Sequence, residues 1–304
     1  MAHRSLCSHG GIRAADVRIR VLGTAAGGGL PQWNCACAGC QAARSSARTR
    51  NQDCLAISGD AVAWHLVNAS PDIRAQILAT PELAPGPGRR QTPLRGALLT
   101  SAELDHTLGL ASLREATDFT VYATAPVLRA LPVRGVIEPY GGVRWSPLGG
   151  SPATLPGGLI VEVVPLGGKR PRYAADAPDA ADWVVAYRFT DPRTSGVLVY
   201  APCLAEWTPA FAAALRGADC VLLDGSFFTD QEMTEQTGSG RTSRQMGHLP
   251  IRESLAYRSA YPETRWLYTH LNNTNPVLLD GSLQQREVTA AGAEVATDGL
   301  LLTL

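Results

Sequence analysis

Gly96-Ala97-Leu98-Leu99-Thr100-Ser101-Ala102-Glu103-Leu104-Asp105-His106 is the stretch that orders the rest of this 304-residue chain. Residues 96–100 form an apolar run of strand length. Residues 101–106 then carry the chain through a polar turn into a helix expected to run to about Glu115. A strand end followed by a loop and a helix is where α/β proteins place chemistry, because the strand holds the loop while its side chains face a ligand. Asp105-His106 sits at that turn. By itself the pair reads equally well as an N-cap aspartate and an exposed histidine, so its meaning depends on what other strand ends offer.

The flanking sequence supplies strands on both sides. Val17, Ile19 and Val21 alternate with Arg18 and Arg20, the period of a half-buried strand at 17–23. The glycine-rich stretch 24–29 lacks a P-loop lysine and the G-x-G-x-x-G spacing, so it reads as a turn that lets the backbone approach the cysteine segment. Residues 54–58 and 62–67 read as a hairpin about Gly59-Asp60. Residues 73–79 read as an amphipathic helix with Ser70 or Asp72 as its cap. Further strands are expected at 119–123, 160–166, 183–189, 197–200, 219–223 and 265–270, with helices at 208–215 and 250–257 and a β tail at 294–304. A Gly/Pro-rich connection occupies 139–158, and 238–245 (GSGRTSRQ), with no apolar anchor, is expected to be mobile. No linker of disordered composition divides the chain. Two packed sheets with helices outside, in one domain from 17 to 304, account for this order.

The 27 Lys+Arg balance 27 Asp+Glu, for a net charge of zero. Binding nucleic acid through its phosphates needs a basic surplus, so no nucleic-acid partner is expected. Charged residues are 18% of the chain, below the roughly 25% of an average soluble protein, and Gly and Pro fill the difference with tight turns. No window approaches the roughly 20 apolar residues of a membrane span, so no membrane partner is expected. Residues 1–16 lack an apolar signal-peptide core and read as a flexible leader on a cytoplasmic protein.

Of seven cysteines, Cys35, Cys37 and Cys40 cluster as C-x-C-x2-C. Three thiols at that spacing converge on one soft cation, and zinc in a tetrahedral structural site is the usual occupant. A fourth ligand must come from elsewhere. Asn273, in the polar turn after His270, is favoured, with His248 as the alternative. Cys54 and Cys220 lie in apolar strands and read as inert, whereas Cys203, at a strand end, is open to packing or metal contact. Of six histidines, His3 and His9 fall in the leader, and His65 alternates with Trp64 and Leu66 as a satisfied sheet residue. His106, His248 and His270 lie at the ends of predicted elements, and Asp224 ends a strand.

VRIRVLGTAAGGGLPQWNCACAGC, NASPDIRAQI, TSAELDHTLGLASLREA, LVYAPC, LLDGSFFTD, MGHLPI and THLNNTNP occur in that order. From about Val17 to Leu304 they resemble the metallo-β-lactamase-fold family of coenzyme PQQ synthesis protein B. The resemblance implies an α/β fold, an αββα sandwich of two mixed β-sheets flanked by helices, with the active site along one edge. Metal-dependent hydrolases of that fold hold two metals with H-x-H-x-D-H. Here the stretch reads Ser101-Ala102-Glu103-Leu104-Asp105-His106, and the first two histidines are absent. Leu166-Gly167-Gly168-Lys169 stands where a third is expected, and Pro202 or Cys203 where a bridging aspartate is expected. By this alignment Asp105, His106 and His270 remain for one metal, with Glu103 at most a weak extra ligand. Two imidazoles and a carboxylate are the donor set of non-haem iron(II) oxygenases, with open positions for O2 and substrate. Two-metal hydrolysis needs the missing residues.

The resemblance further implies a role in pyrroloquinoline quinone (PQQ) biosynthesis, as a hydroxylase of the tyrosine ring in a crosslinked Glu-Tyr unit cut from a precursor peptide. Iron(II) at the active site and a structural zinc are the expected cofactors. His248 and Asp224 are the expected catalytic groups, handling protons or positioning the phenol, and Ser101, Glu103 and Asp72 the expected substrate contacts. The peptide-derived precursor is the expected partner, with other PQQ biosynthesis enzymes, and a homodimer is left open. Two alternatives stand beside this reading: a mononuclear or dinuclear zinc hydrolase, and a non-catalytic PQQ carrier acting in transport. A neutral chain suits a small zwitterionic substrate that enters without long-range steering.

Overall fold

Alternation along the strands decides the layering. In β1 (Arg18–Gly23) Ile19 and Val21 enter one core and Leu22 another, and in β2 (Cys54–Ser58) Leu55 and Ile57 separate from Cys54 and Ala56 in the same way. A strand apolar on both faces must be covered on both faces. The structure, a computed structural model, describes residues 16–238 and 240–304. Its first sheet continues through β3 (Trp64–Val67), β4 (Leu94–Leu98), β5 (Phe119–Ala123) and β6 (Val143–Pro147). The second comprises β7 (Ala153–Thr154), β8 (Ile160–Gly167), β9 (Val184–Thr190), β10 (Val197–Ala201), β11 (Cys220–Asp224), β12 (Arg265–Thr269) and β13 (Glu294–Val295), and β14 (Leu301–Thr303) returns to the first.

Each sheet has seven strands, in the orders β14-β1-β2-β3-β4-β5-β6 and β13-β12-β11-β10-β9-β8-β7. Both are mixed, parallel from β3 to β6 and from β10 to β13 and antiparallel elsewhere. Leu55, Leu98, Tyr187, Leu222 and Leu267 fill the space between the sheets. Helical segments cover the outer faces, with Ile73 and Leu110 against the first sheet and Phe211, Ile251 and Val288 against the second. This is the expected αββα sandwich.

The register of the strands places the functional loops. Asp224 pairs with Thr269, so the chain leaves β11 and β12 side by side. Gly225 N donates to Thr269 O at 2.7 Å, and a Cβ on Gly225 would itself lie 2.7 Å from that oxygen. Only glycine permits this approach, which brings Ser226 beside His270.

Several local expectations are corrected. The helix expected to reach Glu115 is one turn, Leu104–Thr107, followed by a 3-10 segment, Leu108–Leu113. Gly109 N is drawn onto the Ala69 carbonyl, and an added Cβ would lie 2.0 Å from Ser70 O, so packing overrides the helical pattern here. The connection at 139–158 contains β6 and β7, whose Pro, Gly and half-buried edge positions hide a strand signal. Residues 250–257 form a short helix, Ile251–Ser254, that tightens into a 3-10 segment, Leu255–Ala260. In 238–245 the described residues are anchored by Ser243 and Arg244, both bonded to Asp230. The helices Ala125–Ala130 and Leu283–Ala290 were not anticipated. Apart from Asp16, the leader lies outside the described residues. No described helix is long and apolar enough to cross a membrane.

Candidate metal centre

Asp105, His106 and His270 come together although 165 residues separate the first from the last. His106 is buried in the one-turn helix after β4, and its Nδ1 lies 2.8 Å from Ser101 Oγ. Ser101 Oγ accepts from Glu103 N, and Thr100 Oγ1 nearby donates to Asn68 Oδ1. With Nδ1 held by these hydroxyls, Nε2 is the ring nitrogen left to face the cavity. That nitrogen is buried with no hydrogen-bond partner and lies 3.9 Å from Asp105 Oδ2. Burial lowers His106 to about 4, so the ring is neutral, the form that binds metal.

His270 follows β12 with φ 55°, a left-handed conformation costly for a side chain with a Cβ. Its Nδ1 lies 2.8 Å from Ser226 Oγ, and its Nε2 lies 3.3 Å from Asp105 Oδ2. With Nδ1–H committed to the serine, Nε2 and the carboxylate are two acceptors facing one gap, which a proton or a metal ion must fill. In the metal-free chain the proton fills it. Burial opposes this, but Cys203 and Asp105 hold His270 well above the usual imidazole range. Burial likewise works against Asp105, yet His106 and the His270 contact hold its carboxyl well below the usual range. A buried nitrogen without a partner and a paired lone pair and carboxylate fit a metal ion held by these three residues. Cys203 Sγ lies 4.0 Å from His270 Nε2 and forms a second donor group with His106 and His270.

Of the two expected catalytic groups, His248 lines the cavity and Asp224 does not. Asp224 is buried and saturated: Oδ2 accepts from Leu204 N at 2.7 Å and meets His248 Nδ1 at 2.7 Å, while Oδ1 accepts from Ser226 N and Oγ. Burial raises a carboxylate, but the neighbouring His248 and these bonds hold Asp224 below its ordinary value. It does not line the cavity, and its Oδ2 holds His248 by Nδ1. His248 lines the cavity, its ring stacked 5.6 Å from that of His270. His248 stands beside His270 in this cavity, and the side chain on the three cysteine sulfurs is Asn273.

The cysteine cluster is assembled separately. The three Sγ atoms of Cys35, Cys37 and Cys40 lie within 4.8 Å of one another, and Asn273 Nδ2 lies 3.1, 3.5 and 3.3 Å from them respectively. An amide can turn its oxygen to the same point, since O and N occupy equivalent positions. Asn273 is therefore the side chain that reaches the thiols.

The metal-facing groups line a cavity of about 840 Å³. Ser101 lies on its wall, but its hydroxyl serves His106 and is not free for substrate. Glu103 also lines it, and its Oε1 pairs with Lys169 Nζ at 3.7 Å, away from the metal-facing atoms. Asp72 is corrected on both counts: its carboxylate accepts from Gln52 N and Nε2, it caps no helix, and it does not line the cavity. The turn at 24–29 brings Gly27 and Gly28 to this cavity and not to the cysteines. Sequence reasoning missed Lys169, Arg170, Arg172 and Arg241 on the wall, because a loop does not reveal which way it folds back. A neutral chain thus has a locally basic site. Cys54 and Cys220, read as inert, are buried; His65, read as a satisfied sheet residue, bonds Pro156 O through Nε2 at 2.9 Å, while its Nδ1 is buried without a partner.

Acid should expose the cost of keeping His106 neutral. Its folded value, about 4, lies below the roughly 6.5 of an unfolded histidine. Between those values the unfolded chain binds more protons, so the contribution is complete above pH ~6.5 and lost as pH falls toward ~4. The stability of metal-free wild type minus that of His106→Gln should therefore decline across this window, by about 3 kcal/mol in all. Urea melts at stepped pH measure it, and a flat difference would contradict it.

Residues 63–271 match the family described as beta-lactamase superfamily domain. Over 305 aligned residues, covering 95% of this chain and 100% of the relative, the chain is 41% identical to coenzyme PQQ synthesis protein B of Azoarcus sp. (strain BH72). It is 40% identical to the protein of that name from Methylococcus capsulatus, covering 94% of this chain and 99% of the other. A crystal structure of Zn2+-bound PqqB from Methylobacterium extorquens superposes with a TM-score of 0.87 at 34% identity, covering 94% of this chain and all of that one. A diphosphatase of the PhnP family shares the fold at a TM-score of 0.70 and 20% identity, covering 95% of this chain and 97% of that one. The fold, the strand-end motifs and the full-length identities agree: this chain belongs to the coenzyme PQQ synthesis protein B family of the β-lactamase superfamily.

Proposed function

We propose that this protein is an iron(II)- and O2-dependent hydroxylase acting on the tyrosine ring of a crosslinked Glu-Tyr intermediate in PQQ biosynthesis. The observation that carries the reading is the convergence of one carboxylate and two imidazoles, with His106 Nε2 buried and unpartnered, and no second set of ligands where two-metal hydrolases keep theirs. Ser101 stands hydrogen-bonded in one such place. Lys169 stands in another, its ammonium bonded to Met246 O and close to Glu103, and a fixed cation there disfavours a second dication.

Asp105, His106 and His270 would hold the iron. Bound there, it would supply O2 activation. The chain's own residues do the rest. His248, its Nδ1–H fixed by Asp224, offers Nε2 to accept the phenolic proton. Lys169, Arg172 and Arg241 line the wall and supply charge for substrate carboxylates. Tyr173 OH donates to Ala102 O at 2.5 Å and ties the loop after β8 to the motif before His106. Such ties keep the cavity wall closed around the substrate. Cytoplasmic residence and contact with other PQQ biosynthesis enzymes follow from this role.

Anaerobic loading with iron(II), addition of the crosslinked substrate with a two-electron reductant such as ascorbate, and admission of 18O2 test it, one oxygen atom entering the ring and the other leaving as water. Mass spectrometry should find one labelled oxygen in the tyrosine ring. Stoichiometric iron with no oxygen gained would sink the proposal. A mononuclear zinc hydrolase is the second reading, favoured by the Cys203 thiol beside His270 and by the zinc in the Methylobacterium relative. It predicts turnover with zinc and without O2.

A further inference from the structure

One hydroxyl joins three groups where β11 and β12 end side by side. Ser226 Oγ lies 2.7 Å from Asp224 Oδ1, 2.8 Å from His270 Nδ1, 3.0 Å from His270 O and 3.0 Å from His248 Nδ1. A serine has a single proton to donate. Asp224 Oδ1 and His270 O can only accept, so that proton is already contested. His248 Nδ1 has the shorter contact to Asp224 Oδ2, at 2.7 Å, and its proton goes there. The remaining contact, His270 Nδ1 to Ser226 Oγ, is satisfied only when the imidazole donates. Ser226 is 1% exposed, so water does not substitute for it.

We propose that Ser226 is a positioning residue: it locks His270 as the Nδ1–H tautomer with Nε2 toward Asp105, and through Asp224 it anchors His270 and His248 to one carboxylate. The two oxygens of Asp224 divide the work, Oδ2 orienting His248 and Oδ1 orienting His270 through the serine. The metal-facing ring and the proton-accepting ring thus share a rigid base, and their 5.6 Å stacked spacing follows from it. Gly225, held against Thr269 O, sets the height of the serine. This inference rests on the reading that His270 Nε2 faces a metal.

Cobalt(II) is a suitable probe, titrated into full-length protein whose cysteine cluster is loaded with zinc, and followed by the visible d–d bands that uptake outside that cluster adds. Ser226→Ala should weaken cobalt binding by about 10–100-fold, the usual cost of losing a group that orients a metal-bound histidine. Ser226→Thr, which keeps the hydroxyl, should restore most of it. Imidazole 15N shifts should show His270 as a single Nδ1–H tautomer in metal-free wild type at alkaline pH and as a mixture in Ser226→Ala. Should alanine fail to fold, Ser226→Cys, similar in volume but a weak acceptor, carries the same expectation. Wild-type cobalt affinity in both the alanine and cysteine variants, or an unchanged tautomer, would overturn the assignment. If wild type takes up no cobalt outside the cysteine cluster, the metal reading of Asp105, His106 and His270 falls, and this inference with it.

Discussion

Replacing His270 with alanine should empty the active-site metal position, leave the cysteine cluster loaded, and lower ring hydroxylation by roughly a thousandfold or more. The size follows from losing a metal whose charge stabilisation is worth several kcal/mol, at a factor of ten for each ~1.4 kcal/mol. His270 faces Asp105 at 3.3 Å and Cys203 at 4.0 Å, so its loss removes the imidazole that meets both of these donors. Elemental analysis should fall from two metals per chain to one. Full metal content with unchanged turnover would contradict the site. His248→Gln gives the contrast: it should keep both metals and lose rate, because His248 is held by Asp224 and stands beside the ligands.

Cys40→Ser should release the second metal and lower the melting temperature. Cys40 is fully buried in the helix Ala38–Ser46, packed with Leu30 and Ala43 in a small cluster that has little other apolar support. Structural zinc sites supply folding free energy of about 10–16 kcal/mol in small domains. In a chain with large cores of its own, a loss of about 3 kcal/mol is expected, or roughly 6–12 °C. Asn273, which touches all three sulfurs, lies three residues after His270, so active-site metal affinity should fall as well. Calorimetry with and without chelator measures the first effect. An unchanged melting temperature together with retained zinc would rule out a structural role for the cluster.

Most of the strand pattern was legible because strands buried on both faces, such as β2 and β11, read as unbroken apolar runs of strand length. Elements held by few buried residues were not, as with β6 on the sheet edge. The Asp105, His106 and His270 set was legible from strand ends and family resemblance together. Asp72 misled because an aspartate before a helix resembles a cap and a site residue alike, and only the fold shows Gln52 claiming it. Ser226 gave no signal, since a serine after Asp-Gly is ordinary turn chemistry.

By itself the sequence determined the layered sandwich, the cysteine cluster and which strands end in Asp or His, because these depend on local periodicity and spacing. Only the tertiary structure decided what each polar group does. Hydrogen bonds across 24 to 165 residues set which ring nitrogen of His248 and His270 carries its proton and which faces the cavity, and loops folding back from distant strands made a neutral chain basic at its site. Proton placement and local charge follow from distances between atoms, and those distances exist only once the sheets have packed.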